Sequence, residues 1–389
     1  MIIEPKIRGF ICTTAHPIGC AANVQRQIDH VVVKGAVESA RKRVLVLGCS
    51  TGYGLASRIV TTFGSGADTV GVSFEKEPSE SKTASAGWYN NRAFEKRAQA
   101  AGRIAVTVEG DAFSDAIKAE TVAQIREHLG QVDLVVYSLA SPVRTDPKTG
   151  EVYRSAIKPM HAPVKSKTLN TGTGEVSEVE IQPATAEEAE ATVKVMGGED
   201  WELWIAALAE AGVLADGFTT LNYTYLGSEL TWPIYHKGTL GSAKADLDRA
   251  ASAIRAQFGD ASAYVVALKA VVTQASSAIP VVPLYGTMLL QVMDDMGLGE
   301  GCIEQIDRLF RVKLQAPVAL DEAHRLRVDD WELSKAVQDE MTRRWPLLST
   351  ETLDNLADLE KYRAEFLRLF GFGLSGVDYG ADVDPRDIG

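Results

Sequence analysis

The chain has 389 residues, of which 46% are hydrophobic and 24% charged, a composition that suits a globular protein with a sizeable core. Its formal net charge of −12 argues against nucleic-acid binding, because contact with phosphates needs a basic surface. The cysteines lack C-x-x-C spacing and predict free thiols in a reducing compartment and no metal site: Cys12, Cys20, Cys49 and Cys302.

No stretch has the properties of a signal peptide or of a transmembrane helix. The charged residues Glu4, Lys6 and Arg8 precede any apolar run at the N-terminus. The most apolar later segment, residues 278–293, is interrupted by prolines and is too short to span a bilayer. We therefore expect a cytoplasmic protein without a membrane span.

The first predicted core strand and the turn after it are the most informative stretch. Residues 44–47 form an apolar run without polar alternation, which is typical of a strand buried on both faces of a parallel sheet. Gly48, Gly52 and Gly54 follow, and residues 55–60 are predicted to be helical. This order favours a dinucleotide site, because glycine lets the backbone approach a pyrophosphate and the helix N-terminus offers free N–H groups. An ordinary tight turn is the alternative.

An acidic residue follows the second predicted strand. That strand covers residues 69–74 and ends at Glu75, which lies 21 residues after Gly54. An acid about 20 residues beyond the glycine turn is placed to accept hydrogen bonds from the adenosine ribose hydroxyls. Its charge would repel a 2′-phosphate, so the sequence favours NADH over NADPH. A solvated glutamate at a strand end is the alternative.

Further strands alternate with helices along the chain. Predicted helices cover residues 116–129 and 242–258. Predicted strands cover residues 104–108, 132–138, 217–226 and 264–273. This alternation predicts right-handed crossovers and an α/β fold with a doubly wound, parallel, Rossmann-type sheet of the short-chain dehydrogenase kind. The ligand is then expected at the carboxyl ends of the strands.

The remaining segments are interpreted as additions to this core within one compact domain, residues 1–389. Residues 143–198 interrupt the alternation, contain a predicted hairpin (residues 164–169 with 176–181), and are expected to be a surface insertion beside the active site. The dinucleotide-binding core is predicted at residues 43–275 and contains this insertion. An N-terminal extension precedes the core, and a substrate-pocket segment with C-terminal helices follows it at residues 276–389.

A tyrosine and a lysine follow the strand predicted at residues 217–226. Near a nicotinamide, the Tyr235 phenol would donate a proton to the oxygen that gains charge, and the Lys244 ammonium would bind the ribose and make the phenol more acidic. The two are nine residues apart, about half a turn out of phase on an α-helix. Because Gly238 and Gly241 permit a break, we place Tyr235 on a loop and Lys244 in the first turn of the next helix.

Several segments together carry a family resemblance. The chain resembles the trans-2-enoyl-CoA reductases and the FabV-type enoyl-acyl-carrier-protein reductases across nearly its full length, and the eight residues between Tyr235 and Lys244 are a hallmark of that family. The matching segments are Arg8-Gly9-Phe10-Ile11-Cys12, Gly48-Cys49-Ser50-Thr51-Gly52-Tyr53-Gly54, Ser85-Ala86-Gly87-Trp88-Tyr89-Asn90, Gly110-Asp111-Ala112-Phe113, Tyr137-Ser138-Leu139-Ala140-Ser141-Pro142, Met196-Gly197-Gly198-Glu199-Asp200-Trp201, Thr273-Gln274-Ala275-Ser276-Ser277-Ala278-Ile279-Pro280 and Gly371-Phe372-Gly373.

The resemblance implies a role for each site residue. The residues implied to bind the NADH pyrophosphate are Gly48, Cys49, Ser50, Thr51, Gly52 and Tyr53. Those implied for the rest of the cofactor are Phe74 and Glu75 at the adenosine ribose, Asp111 and Ala112 at the adenine, Leu139 and Ala140 at the nicotinamide side, Lys244 at its ribose, and Val271, Val272 and Thr273 over the nicotinamide. Tyr235 is implied as the proton donor and Tyr225 as the group that binds the substrate carbonyl. By strand alternation Tyr223 would face the same side as Tyr225, so the pattern does not choose between them.

The activity implied is NADH-dependent reduction of the carbon–carbon double bond of a trans-2-enoyl thioester in fatty-acid synthesis. Hydride would reach the β-carbon, and preorganised donors would stabilise charge on the carbonyl oxygen. The alternatives are an NAD(P)H-dependent carbonyl reductase, disfavoured by the Tyr–Lys spacing, and a non-catalytic NADH-binding regulator. The sequence leaves open whether the substrate is carried by acyl-carrier protein or CoA, and we expect a monomer.

Overall fold

The computed structural model describes residues 1–9, 11–39, 41–139, 141–259 and 261–388. Its strands are β1 (Ile7–Arg8), β2 (Ile11–Cys12), β3 (Arg43–Leu47), β4 (Asp68–Ser73), β5 (Ala105–Glu109), β6 (Val132–Tyr137), β7 (Val143–Thr145), β8 (Val152–Arg154), β9 (Val164–Asn170), β10 (Glu175–Ile181), β11 (Leu214–Thr224), β12 (Ser262–Ala267) and β13 (Leu326–Arg327). Its α-helices are α1 (Pro17–Val33), α2 (Gly52–Ile59), α3 (Ala86–Ala100), α4 (Asp115–His128), α5 (Ala186–Met196), α6 (Glu199–Glu210), α7 (Thr239–Gln257), α8 (Gln274–Ser277), α9 (Val282–Asp295), α10 (Cys302–Arg308), α11 (Lys335–Arg344), α12 (Leu353–Leu356) and α13 (Leu359–Arg368).

Within the described residues, the central sheet has seven strands in the order β13-β12-β11-β6-β3-β4-β5, and every neighbouring pair is parallel. The chain runs from β3 outward to β5, returns to β6 on the other side of β3, and then continues outward to β13. The strand order therefore reverses between β3 and β6, which is where a doubly wound sheet opens a crevice for its ligand. The predicted α/β Rossmann-type fold is confirmed.

Each face of the sheet is covered by its own set of helices. On one face α1, α2, α3 and α10 bury Val24, Leu55, Phe94 and Ile303 against alternate residues of the strands. On the other face α4, α6 and α7 form a second cluster around Trp201, which is completely buried. Burial on both faces explains why residues 44–47 of β3 form a continuous apolar run in the sequence.

Two strand ends and two helices differ from the sequence prediction. Strand β12 ends at Ala267, so Val271, Val272 and Thr273 lie in the following loop instead of in the strand. Strand β11 ends at Thr224, which leaves Tyr225 beyond the ladder. Helices α1 and α5 were not predicted from the sequence. Apolar residues continue past the last ladder partner in both strands, and an apolar run by itself does not mark where pairing stops.

The predicted hairpin is present as the antiparallel pair β9–β10. It is fastened to the C-terminal part, because the Lys167 ammonium donates to the carbonyls of Pro346 and Leu348 at 2.9 and 2.7 Å, and Leu169 is buried in the cluster around α9. Across the described ranges, no helix is long and apolar enough to cross a membrane.

Candidate active site

The turn after β3 has the geometry that close approach to a pyrophosphate requires. Gly48 has φ of +80°, and a side-chain carbon there would overlap the carbonyl oxygen of Ser138. A side chain on Gly54 would overlap the carbonyl of Gly48, so both glycines are needed to seat α2 against the turn. Helix α2 begins at Gly52 and its N-cap residue Thr51 makes no capping bond through its side chain. Free N–H groups at that helix end suit a bound anion.

Glu75 contacts the same turn. The Ser50 hydroxyl donates to Glu75 Oε1 at 2.6 Å, and a side chain on Gly87, at the start of α3, would overlap that oxygen. Burial raises the pKa of the Glu75 carboxyl, while its bond to Ser50 lowers it. The carboxyl is therefore held between the glycine turn and α3, unlike a solvated acid at a strand end.

Two of the predicted pyrophosphate residues direct their side chains into the core. Cys49 is completely buried, and its thiol lies 3.6 Å from Asn91 Oδ1. The Tyr53 hydroxyl donates to the carbonyl of Lys269 at 2.8 Å and accepts from the Gln305 amide at 2.6 Å. Cys49 and Tyr53 can therefore meet a cofactor through backbone groups, and the Tyr53 side chain ties α2 to the loop after β12.

The residues predicted at the adenosine end follow β4 and β5 at the same edge. The Phe74 side chain is 78% exposed, which leaves its ring face free for a base. Asp111 accepts from the N–H of Phe113, while the Ala112 carbonyl accepts from the Trp204 indole at 3.0 Å and from Lys118 at 3.2 Å. A buried scaffold therefore holds the loop after β5 in place.

The residues predicted around the nicotinamide come from two loops. Leu139 follows β6 and packs beside Gly48, while Ala140 lies outside the described residues. Val271 and Val272 line a cavity of about 270 Å³ together with Thr51 and Gly52, where α2 begins. The loop after β12 thus faces the glycine turn across a cavity that can accept a ligand.

The turn between β11 and α7 carries Tyr235. The Tyr235 carbonyl accepts from the N–H of Gly241 at 3.0 Å, and a side chain on Gly238 or Gly241 would crowd nearby carbonyls. The two glycines therefore permit the fold-back that the sequence predicted. Lys244 is the sixth residue of α7 and lies in its second turn, not the first, because the helix already begins at Thr239.

Burial controls the electrostatics of this pair. It lowers the pKa of Lys244 to about 8, and within the described residues the Lys244 ammonium makes no hydrogen bond or ion pair. Burial, followed by the charge of Glu332, raises the pKa of Tyr235. The expected acidification of the phenol by Lys244 is therefore not found: the pKa of Tyr235 moves in the opposite direction. The phenol keeps its proton at neutral pH, and Lys244 has an ammonium group free for a ligand.

The structure separates the two candidate tyrosines at the end of β11. The ring centroids of Tyr225 and Tyr235 are 5.0 Å apart, with an interplanar angle of 74°. The Tyr223 hydroxyl instead lies 2.7 Å from the Ser57 hydroxyl on α2. Alternation within a strand did not apply, because Tyr225 stands outside β11. The geometry favours Tyr225 as the neighbour of Tyr235.

Sequence reasoning missed a buried glutamate behind this pair. Glu332 Oε1 accepts from the hydroxyls of Tyr225 at 3.1 Å and Tyr285 at 2.6 Å, and Oε2 accepts from the N–H of Ala270 at 2.7 Å. Glu332 follows two aspartates in an acidic stretch, which is typical of exposed loops, so no local pattern identifies it. Among the described residues, no group of three or more His, Cys, Asp or Glu could hold a metal ion.

Three family models match successive parts of the chain. The model described as the NAD(P)H binding domain of trans-2-enoyl-CoA reductase matches residues 2–80. The trans-2-enoyl-CoA reductase catalytic region matches residues 82–315. An enoyl reductase FAD binding domain matches residues 320–383. Together the three models cover nearly the whole chain.

Full-length relatives and a solved structure agree with these matches. The chain is 56% identical over 388 residues to the enoyl-[acyl-carrier-protein] reductase [NADH] FabV of Aeromonas salmonicida (strain A449), covering 99% of this chain and 98% of that protein. It is 55% identical over 388 residues to the enoyl-[acyl-carrier-protein] reductase [NADH] of Edwardsiella ictaluri (strain 93-146), with the same coverage of 99% and 98%. The crystal structure of Treponema denticola trans-2-enoyl-CoA reductase in complex with NAD is similar, with a TM-score of 0.95, 46% identity and coverage of 99% and 98%.

The described residues fit a nicotinamide dinucleotide, whereas residues 320–383 do not form a comparable cradle for a flavin dinucleotide. The glycine turn provides a backbone cradle that any side chain would fill. Residues 320–383, all of them described, contain only the two-residue strand β13 and no strand–glycine turn–helix unit. Their apolar side chains, such as Val337, Met341 and Phe366, are buried in the C-terminal clusters. We therefore assign no step to a flavin.

Proposed function

The chain belongs to the family of trans-2-enoyl-CoA reductases and FabV-type enoyl-acyl-carrier-protein reductases, and we propose that it catalyses the NADH-dependent reduction of trans-2-enoyl thioesters in fatty-acid synthesis. The observation that carries this proposal is the position of Tyr235 and Lys244. They follow β11, which is parallel to β6 and β3, so they stand at the same sheet edge as the glycine turn. A neutral phenol, and an ammonium without a partner among the described residues, at the same sheet edge as the glycine turn support this proposal.

Separate residues of the chain bind the cofactor, hold the proton and orient the substrate. When bound, NADH supplies the hydride that reduces the β-carbon. The Thr51–Gly52 helix end receives the pyrophosphate, Glu75 receives the adenosine ribose, and Lys244 binds the nicotinamide ribose. Tyr235 holds the proton that balances the reduction at the α-carbon, and Tyr225 orients the thioester carbonyl.

One assay separates the proposed activity from its alternatives. NADH oxidation is measured with crotonyl-CoA and, in parallel, with a ketone. Turnover with crotonyl-CoA alone, giving butyryl-CoA, supports the proposal. Turnover of the ketone instead would identify a carbonyl reductase, and NADH binding without turnover of either compound would identify a regulator.

We expect Glu75→Ala to narrow the preference for NADH. A carboxylate facing a 2′-phosphate costs about 1–3 kcal/mol through repulsion and desolvation, so the ratio of kcat/KM for NADH to that for NADPH should fall by about one to two orders of magnitude. The exposed Glu77, two residues further on, provides the control as Glu77→Ala. A ratio that stays the same in Glu75→Ala would reduce Glu75 to a structural partner of Ser50.

We expect Gly286→Ala to shorten the accepted acyl chain. Gly286 lines a narrow slot of about 10 Å³ with Val271, Val272 and Ser276, and an added methyl group would lie 3.5 Å from the Tyr362 ring without a clash. The activity ratio of trans-2-dodecenoyl-CoA to crotonyl-CoA should fall about three- to tenfold, while the helix itself gains about 0.5–1 kcal/mol.

Val282→Ala widens the same slot and should raise the activity ratio of trans-2-dodecenoyl-CoA to crotonyl-CoA. If both variants change only the melting temperature and leave the chain-length profile alone, residues 276–293 are core packing and not an acyl pocket.

The organisation proposed from the sequence remains part of this proposal. Residues 43–275 would bind the dinucleotide, residues 143–198 would be an insertion beside the site, and residues 276–389 would supply the acyl pocket and its supporting helices. We further propose a cytoplasmic monomer that takes its substrate from acyl-carrier protein or CoA. The free state of all four thiols supports the reducing compartment.

A further inference from the structure

The hydrogen bonds of Glu332 are not explained by the fold alone. The residue is completely buried between β13 and α11, and burial raises the pKa of its carboxyl. Burying a carboxylate is costly unless hydrogen bonds and an opposite charge compensate. Three hydrogen-bond donors reach the Glu332 carboxyl. The positive charge of Lys269, a residue that is itself only 3% exposed, lowers the pKa of this carboxyl and partly opposes the effect of burial. None of the three bonds closes a helix or a strand ladder, yet one of them holds Tyr225 at the proposed site and another holds Tyr285 on α9.

We infer that Glu332 is a positioning residue for the reduction: its carboxylate fixes the Tyr225 phenol, whose ring orients Tyr235. This inference rests on the proposed function. Oε1 holds the Tyr225 hydroxyl, and the Tyr225 ring stands edge-on to Tyr235 at 5.0 Å. Oε2 holds the N–H of Ala270, next to Val271 and Val272.

The placement of protons supports this division of roles. Each phenol has one proton, and that of Tyr225 is donated to Glu332. Within the described residues the Tyr235 hydroxyl makes no hydrogen bond, so its proton stays available for the substrate. Glu332 therefore keeps one tyrosine as an orienting group beside a second tyrosine that is free to donate.

A double-mutant cycle tests this arrangement with NADH and crotonyl-CoA. Glu332→Gln keeps the side-chain shape but removes the charge that holds the phenol. We expect kcat/KM to fall about tenfold in the wild-type background, the scale of one charge-assisted hydrogen bond. In a Tyr225→Phe background, where that bond is already absent, the same change should cost less than about twofold.

Equal costs in the two backgrounds, or no cost in the wild type, would overturn the inference while leaving the proposed function intact if the wild type still reduces crotonyl-CoA. Asp329→Asn is the matched control, because Asp329 is a buried carboxylate bonded to Arg327 and to no tyrosine. It should alter the melting temperature without altering kcat/KM.

A second cycle answers the question if Glu332→Gln does not fold. Tyr225 and Tyr285 share Oε1, so the effect of Tyr225→Phe on kcat/KM should depend on whether the Tyr285 hydroxyl is present. Combining Tyr225→Phe with Tyr285→Phe should give a loss that differs from the product of the single losses by at least about threefold. Strictly multiplicative losses would show that the carboxylate does not couple the two phenols.

Discussion

Tyr235→Phe is expected to lower kcat by about 10²–10⁴-fold with the Kd for NADH nearly unchanged. The variant removes only the hydroxyl, which acts on charge that develops in the transition state. Burial already keeps the Tyr235 pKa raised and the phenol protonated, so the wild type enters the reaction with its proton in place. Single-turnover hydride transfer and NADH fluorescence titration measure the two quantities separately.

Tyr153→Phe is the control for this prediction. Tyr153 lies on β8, outside the proposed site, and its hydroxyl bonds to Glu151, so its loss should leave turnover unchanged. Near-wild-type turnover in Tyr235→Phe would remove that residue as the proton donor. Tyr225 would then be the next candidate, ahead of Tyr223, whose hydroxyl is held by Ser57.

Lys244→Met is expected to weaken NADH binding and to slow the reaction as well. The ammonium group has no partner in the described part of the protein, so its proposed bonds to the nicotinamide ribose are gained on binding. Losing charge-assisted hydrogen bonds should raise the Kd for NADH about 10- to 100-fold, and the less well-placed cofactor should lower kcat too. The exposed Lys237 supplies the control variant Lys237→Met, which should leave the Kd unchanged.

The pH dependence of NADH binding tests the same role. The pKa of Lys244 is lowered to about 8, so the side chain is charged below that pH and loses its proton above it. The Kd of the wild type should therefore rise as the pH increases through about 8, whereas the Kd of Lys244→Met should stay flat. A wild-type Kd that does not change across this range would mean that the Lys244 charge does not contribute to binding.

The sequence predicted best those elements that depend on residues adjacent in the chain. The apolar run of β3 and the glycines at positions 48, 52 and 54 can be recognised from adjacent residues, and the predicted parallel fold is confirmed. The membership in the enoyl reductase family, inferred from short segments, is also confirmed. Strand ends were less accurate, because the ladder stops where a neighbouring strand stops, and that information lies elsewhere in the chain.

Only part of the site could be predicted from residues that are neighbours in the sequence. Gly238 and Gly241 indicated that Tyr235 and Lys244 could converge across nine residues, and the turn permits it. The pKa of Tyr235 was expected to fall because of Lys244, yet it is raised by burial and by a carboxylate 97 residues further along the chain. Desolvation depends on everything packed around a group, so it cannot be summed from sequence neighbours.

The sequence by itself determined the sheet, the dinucleotide turn and the residue types available for reduction, because each follows from the periodicity or spacing of nearby residues. Only the tertiary structure placed Tyr225, and not Tyr223, beside Tyr235, buried the Cys49 side chain, bonded the Tyr53 hydroxyl to the loop after β12, and brought Glu332 to the tyrosine pair. Those outcomes depend on contacts between residues far apart in the chain, such as Tyr225 with Glu332, which form only when β11, α9 and the segment after β13 pack together.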